Sequence, residues 1–310
     1  MTKETLVKIL NHNYFNNKIS KCIKLNLQST SDNYIIYVEG KKYFIKIHSN
    51  VQLEAYNLGQ LNNTNHECYK LPQVIFLDSV NNILVLEYED GNVLLNDLII
   101  YGNILSFYFC KRKLTEKLSR SGEWLACYHN ENVVDDEFLI SNDIENAISK
   151  QNYLETIKNI DKEGLQSYLN NYKNIKLPSI KSGNDFTSRN IIISDSSIAV
   201  IDWEQLLLKP IYYNIIYFIT NLYSRSRYPL FSFSIQGILM KEFIEGYIKY
   251  SKFHIDHEYF KLYSVIYYID YIYDYEKLEG VFESWLNHTY TMNRFINNKV
   301  KAMLVDCIKS

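Results

Sequence analysis

The apolar pattern of this chain changes period once, after Gly91, and that change limits the folds open to it. Before Gly91, short β-branched and aromatic runs predict strands at Cys22 to Leu27, Tyr34 to Val38, Lys42 to Ile47, Val74 to Leu77 and Ile83 to Leu86. Glu39-Gly40-Lys41 and Asp78 to Asn82 supply turns. Between the third and fourth strands, Leu53, Leu58 and Leu61 recur at helical spacing, so Val51 to Leu61 reads as a helix. The order is β-β-β-α-β-β. After Gly91 the pattern is helical, at 94–110, 112–129, 142–149, 151–172, 233–250 and 257–276. A short hairpin interrupts it, Ile191 to Ser194 and Ile198 to Ile201, turning at Asp195-Ser196-Ser197. The expectation is an α+β chain with a small β-rich N-lobe, 1–91, and a larger helical C-lobe, 92–310, with an embedded β-hairpin.

Composition narrows the function classes. Of 310 residues, 33 are Lys or Arg and 35 Asp or Glu, a net charge of −2, which predicts no nucleic-acid partner. Apolar types make up 47%, enough for a core and too much for a disordered chain. The 28 Tyr and 15 Phe reflect core packing together with AT-rich codons. Five scattered cysteines without a C-x-x-C pair suit reduced thiols in a cytoplasmic protein. MTKETLVKIL lacks a signal-peptide core, and the apolar stretches are broken before ~18 residues, so no transmembrane segment is expected. Lys111-Arg112-Lys113 reads as a solvated helix end.

Residues 182–204, SGNDFTSRNIIISDSSIAVIDWE, carry the chemistry. Asp185 is followed by Asn190, then by the hairpin, then by Asp202 at the end of an apolar strand. Phosphoryl transfer needs a carboxylate beside the attacking hydroxyl and oxygen ligands that hold Mg²⁺ against nucleotide phosphates. A D-x-x-x-x-N loop followed by such a hairpin supplies these groups. Asp185 would orient or deprotonate the acceptor, and Asn190 and Asp202 would bind the metal.

These motifs resemble those of the aminoglycoside phosphotransferase and choline kinase family, the small-molecule branch of the protein-kinase-like fold. Ile201-Asp202-Trp203-Glu204 is similar to its I-D-W/F-E/D strand end, and Asp185 and Asn190 match its H-G-D-x-x-x-x-N loop. Gly183-Asn184 stands in place of the His-Gly pair, where the family's His braces the loop. Pro210 to Asn214 resembles the G-D-P-x-Y-D-L element, with Asn214 for the usual Asp, and Gly122 to His129 resembles the L-G-x-x-L-A-x-L-H helix.

In the N-lobe, Phe44-Ile45-Lys46-Ile47 resembles the strand whose Lys contacts the α- and β-phosphates, with Glu54 as its ion-pair partner across a tight connection. Leu84 to Gly91 resembles the hinge, where backbone groups at Glu87 and Glu89 would meet adenine. Ser29 to Tyr34 fills the phosphate-loop position without a glycine, so Ser29 and Ser31 hydroxyls and backbone N–H groups would cradle phosphate.

The resemblance implies a two-lobe kinase that uses ATP and Mg²⁺ on a hydroxyl of a sugar, aminoglycoside or amino alcohol. Arg189, Glu204, Asp270 and Asp274 are its candidate acceptor residues, with Tyr268, Tyr271, Tyr275 and Trp285 as aromatic faces. Two alternatives stay open. One is a pseudokinase, favoured by the missing loop glycines and His. The other is a protein kinase, opposed by the short segment 205–214 and the absence of A-P-E. The stretch 131–145 reads as an acidic loop, and the acids among His254 to Glu258 as a helix start rather than a metal cluster.

Overall fold

The two-residue turn at Glu39-Gly40 organises the N-terminal sheet. Both residues have positive φ, 50° and 82°, which gives a hairpin turn whose twist matches its strands. It joins β2 (Asp32–Val38) to β3 (Lys41–Ile47), with Val38 opposite Lys41. The computed structural model describes residues 1–25, 31–62, 69–102, 104–151, 153, 161–183, 185–224 and 233–279. The chain forms two compact units. The first holds Met1–Val93, Gly183–Asp185 and Asn190–Leu206; the second holds Leu94–Ser182, Phe186–Arg189 and the described residues from Leu207 onward.

In the first unit, β1 (Ile19–Leu25), β2, β3, β4 (Val74–Asp78) and β5 (Ile83–Glu87) form one antiparallel sheet, ordered β1-β2-β3-β5-β4. The β4–β5 turn is held by Asp78, whose Oδ1 accepts the Val80 and Asn81 amides at 3.1 and 3.0 Å. Helix α2 (Val51–Asn62) lies between β3 and β4 in sequence, as the spacing predicts. An element that the apolar periodicity did not single out covers the sheet. Helix α1 (Lys3–Leu10), capped by the Thr2 hydroxyl and continued by a π-helical turn (Asn11–Phe15), buries Leu6 and Leu10 against Tyr34, Ile36, Ile45 and Val85. A second sheet joins β6 (Asn92–Val93), β9 (Ile191–Ile193) and β10 (Ile198–Val200), so the expected hairpin is present.

The second unit is mainly helical, with α3 (Leu94–Tyr101), α4 (Ile104–Glu131), α5 (Ser141–Gln151), α6 (Lys162–Asn170), α7 (Tyr212–Ser224), α8 (Phe233–Tyr250) and α9 (His257–Glu279). The expected break between 110 and 112 is not found. The helix stops instead at Gly102 and then runs unbroken through Lys111 to Lys113, because glycine ends helices and lysine and arginine favour them. Part of the segment read as an acidic loop is β7 (Val133–Leu139), paired with β8 (Lys176–Gly183), which is flanked by β11 (Leu206–Pro210). That pairing joins distant segments and has no local signature. Asp161 caps α6 through the Gly164 amide; residues 154–160 of the expected helix 151–172 lie outside the described residues.

Helices α4 and α8 approach closely at two glycines. A Cβ on Gly122 would lie 2.1 Å from the Phe243 carbonyl oxygen, and one on Gly246 2.1 Å from that of Ser119. We expect Gly122→Ala to cost about 1–3 kcal/mol by forcing the backbones apart. Gly59→Ala, on α2 with nothing within 4 Å of the added carbon, should be neutral or stabilise by about 0.5–1 kcal/mol. Urea unfolding of both variants checks the contrast.

Candidate active site

Lys46 sits on the central strand β3 with its ammonium buried, so it requires anionic partners. It has three. Its Nζ is 2.7 Å from Glu54 Oε2, 2.9 Å from Asp202 Oδ1 and 3.7 Å from Glu204 Oε1. Glu54 is 1% exposed, on the first turn of α2. The short connection from Ile47 to Val51 brings this turn back over the strand. Burial alone would lower the Lys46 pKa, but Glu54 and Asp202 more than offset it and hold the value above normal. Burial would likewise raise the Glu54 pKa, but the His48 imidazole, the Lys46 ammonium and the Trp203 amide hold it below the usual carboxyl value.

Asp202 is fixed by its backbone. Its φ is +73°, a left-handed conformation uncommon outside glycine and typical of constrained sites. Helix α2 holds both backbone polar groups of the next residue. Trp203 N–H donates to Glu54 Oε1 at 3.4 Å, and Asn57 Nδ2 donates to the Trp203 carbonyl at 2.9 Å. Upstream, Ile201 N–H donates to the Asn190 carbonyl at 2.9 Å, which ties the metal candidates together along the chain.

Asn190 is buried and donates both amide hydrogens to Asp185, to the carbonyl at 3.0 Å and to Oδ2 at 2.9 Å. The D-x-x-x-x-N spacing therefore closes a loop in which Asn190 sets the Asp185 carboxylate. Position 183 leaves no room for a side chain. A Cβ on Gly183 would lie 2.5 Å from the Trp203 ring, and the indole, anchored by its Nε1–H to the Val200 carbonyl at 2.8 Å, fills the space a side chain at 183 would need.

The remaining candidates are placed as follows. Glu87 N–H donates to the Gln73 carbonyl at 2.8 Å. The Glu89 carboxylate is buried, pairs with Lys70 at 3.0 Å, and has its pKa raised because burial outweighs that lysine. Ser31 accepts from Asn33 Nδ2 at its carbonyl and hydroxyl; Ser29 lies outside the described residues. In the second unit, Arg189 is exposed and Asp270 pairs with Lys150 at 3.0 Å. Tyr268 and Tyr271 join a tyrosine cluster centred on Tyr267. Asp274 and Tyr275 lie on the same helix, with side chains outside the described ones, as is Trp285. Asp256 Oδ1 accepts the Glu258 and Tyr259 amides at 2.7 and 3.2 Å, a helix cap. His129 is buried and donates to or accepts from the Tyr247 hydroxyl at 2.8 Å; burial lowers its pKa to about 3, although the Asn214 side chain pulls upward.

Three contributors to the site lie outside the sequence motifs: His48, Asn57 and the packing of Trp203. His48 stands two residues after Lys46, just past the end of β3, and belongs to no motif.

Comparison with known proteins bears on the fold. No family model matches the chain, and no curated protein matches it in sequence. Among solved structures it is similar to a putative aminoglycoside phosphotransferase from Ralstonia eutropha, at 12% identity, covering 99% of this chain and 97% of that one, with a TM-score of 0.64. It is similar to a choline/ethanolamine kinase family protein from Mesorhizobium loti, at 12% identity over 99% of both chains, TM-score 0.60. A spectinomycin phosphotransferase bound to ADP and spectinomycin is 13% identical over 99% of this chain and 98% of that one, TM-score 0.60. The chain therefore has the kinase-like fold that these proteins share, with a β-rich N-terminal part and a helical C-terminal part. Among the described residues no helix is long and apolar enough to cross a membrane.

Glu54→Gln should lower stability by about 3 kcal/mol at pH 7, because it weakens the buried pair around Lys46. The Glu54 pKa is depressed, so its contribution is full above its ordinary 4.5 and is lost as acid titrates through the lower folded value. The Lys46 pKa is raised, so its contribution is full below 10.5 and is lost as alkali passes the folded value. Urea unfolding from pH 3 to 7 should show the gap between wild type and variant closing on acidification.

Proposed function

We propose that this protein transfers the terminal phosphoryl group of ATP, with Mg²⁺, to a hydroxyl of a small molecule. One observation carries the reading. Lys46 binds Glu54 and Asp202 together, at 2.7 and 2.9 Å, in the same compact unit as the Asn190-oriented Asp185. The shared fold with an ADP-bound spectinomycin phosphotransferase and a choline/ethanolamine kinase family protein supports it.

Each residue has a defined task. Lys46 offsets phosphate charge, and Glu54 holds its ammonium in place. Asp185 accepts the proton of the attacking hydroxyl at its carboxylate, and the Asn190 amide keeps that carboxylate in one rotamer. Backbone groups at Glu87 and Glu89 meet the base, and Ser29 and Ser31 contribute to the phosphate cradle. The donor set suits Mg²⁺. Both Asn190 amide hydrogens go to Asp185, which leaves Oδ1 as an acceptor, and Asp202 binds Lys46 through Oδ1, which leaves Oδ2. When bound there, Mg²⁺ supplies charge neutralisation of the phosphates. The acceptor is a sugar, aminoglycoside or amino alcohol, and Arg189, Glu204, Asp270 and Asp274 are its candidate residues. A protein substrate is disfavoured because only β11 lies between Glu204 and α7, which leaves no room for a long activation segment.

A thermal-shift titration with ATP, with and without Mg²⁺, should show Mg²⁺-dependent stabilisation; none at millimolar nucleotide would rule the reading out. Asp185→Ala should reduce kcat by about 10²–10⁴ while leaving the ATP Kd nearly unchanged; parallel loss of both would make Asp185 structural. Asp202→Ala should abolish the Mg²⁺ dependence of ATP binding in calorimetry, and its persistence would reassign the metal ligand.

A further inference from the structure

His48 follows β3 directly and is half-buried, with its side chain 8% exposed. Its Nδ1 accepts the Asn50 amide hydrogen at 3.1 Å. The proton of the neutral ring therefore sits on Nε2. That Nε2 makes no hydrogen bond of ordinary length but faces two carboxylates, Glu54 Oε2 at 3.6 Å and Glu204 Oε1 at 3.5 Å. These three atoms lie within 4.8 Å of one another, a spacing that suits a cation. A metal would need a lone pair on Nε2, where the Asn50 bond places a hydrogen, and Lys46 Nζ already occupies Glu54 Oε2 at 2.7 Å. The site is built for a donor, not for a ligand.

Three carboxylates compete for Lys46. Glu54 and Asp202 are at bonding distance, whereas Glu204 stands off at 3.7 Å although it is only partly exposed. The Nε2–H of His48 is the other positive end facing Glu204 Oε1. We infer that His48 is a positioning residue that holds Glu204 away from Lys46, and so keeps the ammonium available for nucleotide phosphate. The inference rests on the phosphotransferase reading. Without His48, Glu204 closes on Lys46, and an incoming polyphosphate must displace a third carboxylate.

His48→Leu nearly keeps the volume and removes the Nε2 donor. It also removes the Nδ1 acceptor of the Asn50 amide and a support of the Glu54 carboxylate, so its melting temperature should fall slightly, and Kd is measured well below that temperature. Its ATP Kd should rise about tenfold, with kcat at saturating ATP within about twofold of wild type. His48→Gln, which keeps an N–H near the Nε2 position, should restore most of the affinity. In a Glu204→Gln background the His48→Leu change should have no effect on Kd, because the competitor is gone. A nucleotide-free crystal structure of His48→Leu should show Glu204 moved onto Lys46. An unchanged Kd, or an equal loss in both backgrounds, overturns the inference. A wild-type chain that binds no ATP overturns the phosphotransferase reading, whereas an unmoved Glu204 overturns the role of His48 whatever the nucleotide does.

Discussion

A buried ammonium on a central strand cannot stand alone, and the first unit is arranged around satisfying it. Lys46 draws Glu54 from helix α2 and Asp202 from the segment after β10, at 2.7 and 2.9 Å. Bringing these groups together requires the short turn after β3, the helix that starts at Val51, and a left-handed backbone at Asp202. Of the three, the left-handed backbone at Asp202 is locally unfavourable, and it is held against the several kcal/mol that an unpaired buried charge would cost.

The same cluster explains why Asp202 and Trp203 act as one structural piece. The side chain of Asp202 answers Lys46, while the peptide of Trp203 is held by Glu54 and Asn57. The indole then presses on Gly183, two residues before Asp185. A bulky aromatic thus fills the space beside a glycine, and any side chain at 183 would collide with the indole. Beside it, the Asn190–Asp185 bonds set the carboxylate.

Much of this was legible because the responsible signals are local. Period-2 runs named the strands of the first sheet, and Glu39-Gly40-Lys41 marked its turn through the glycine, which takes φ 82° without steric cost, although Lys41 belongs to β3. The spacing of Asp185, Asn190 and Asp202 was legible too, because loop chemistry is written in consecutive residues. Helix α1 went unseen since its stripe is two leucines long, and β7 went unseen since its partner β8 lies more than thirty residues away. His48 was passed over because a histidine at a strand end carries no meaning until its neighbours are known.

By itself, then, the sequence determined the kind of element at most positions and the chemical groups available to the site, because backbone propensity and side-chain identity are properties of short windows. Tertiary structure alone decided which charges meet. It paired one ammonium with Glu54 and Asp202, kept Glu204 at 3.7 Å, and aimed an imidazole nitrogen between two carboxylates. The physical reason is range: the Coulomb energy of buried charges depends on ångström separations between residues far apart in the chain, such as Lys46 and Asp202, and no periodicity encodes those distances.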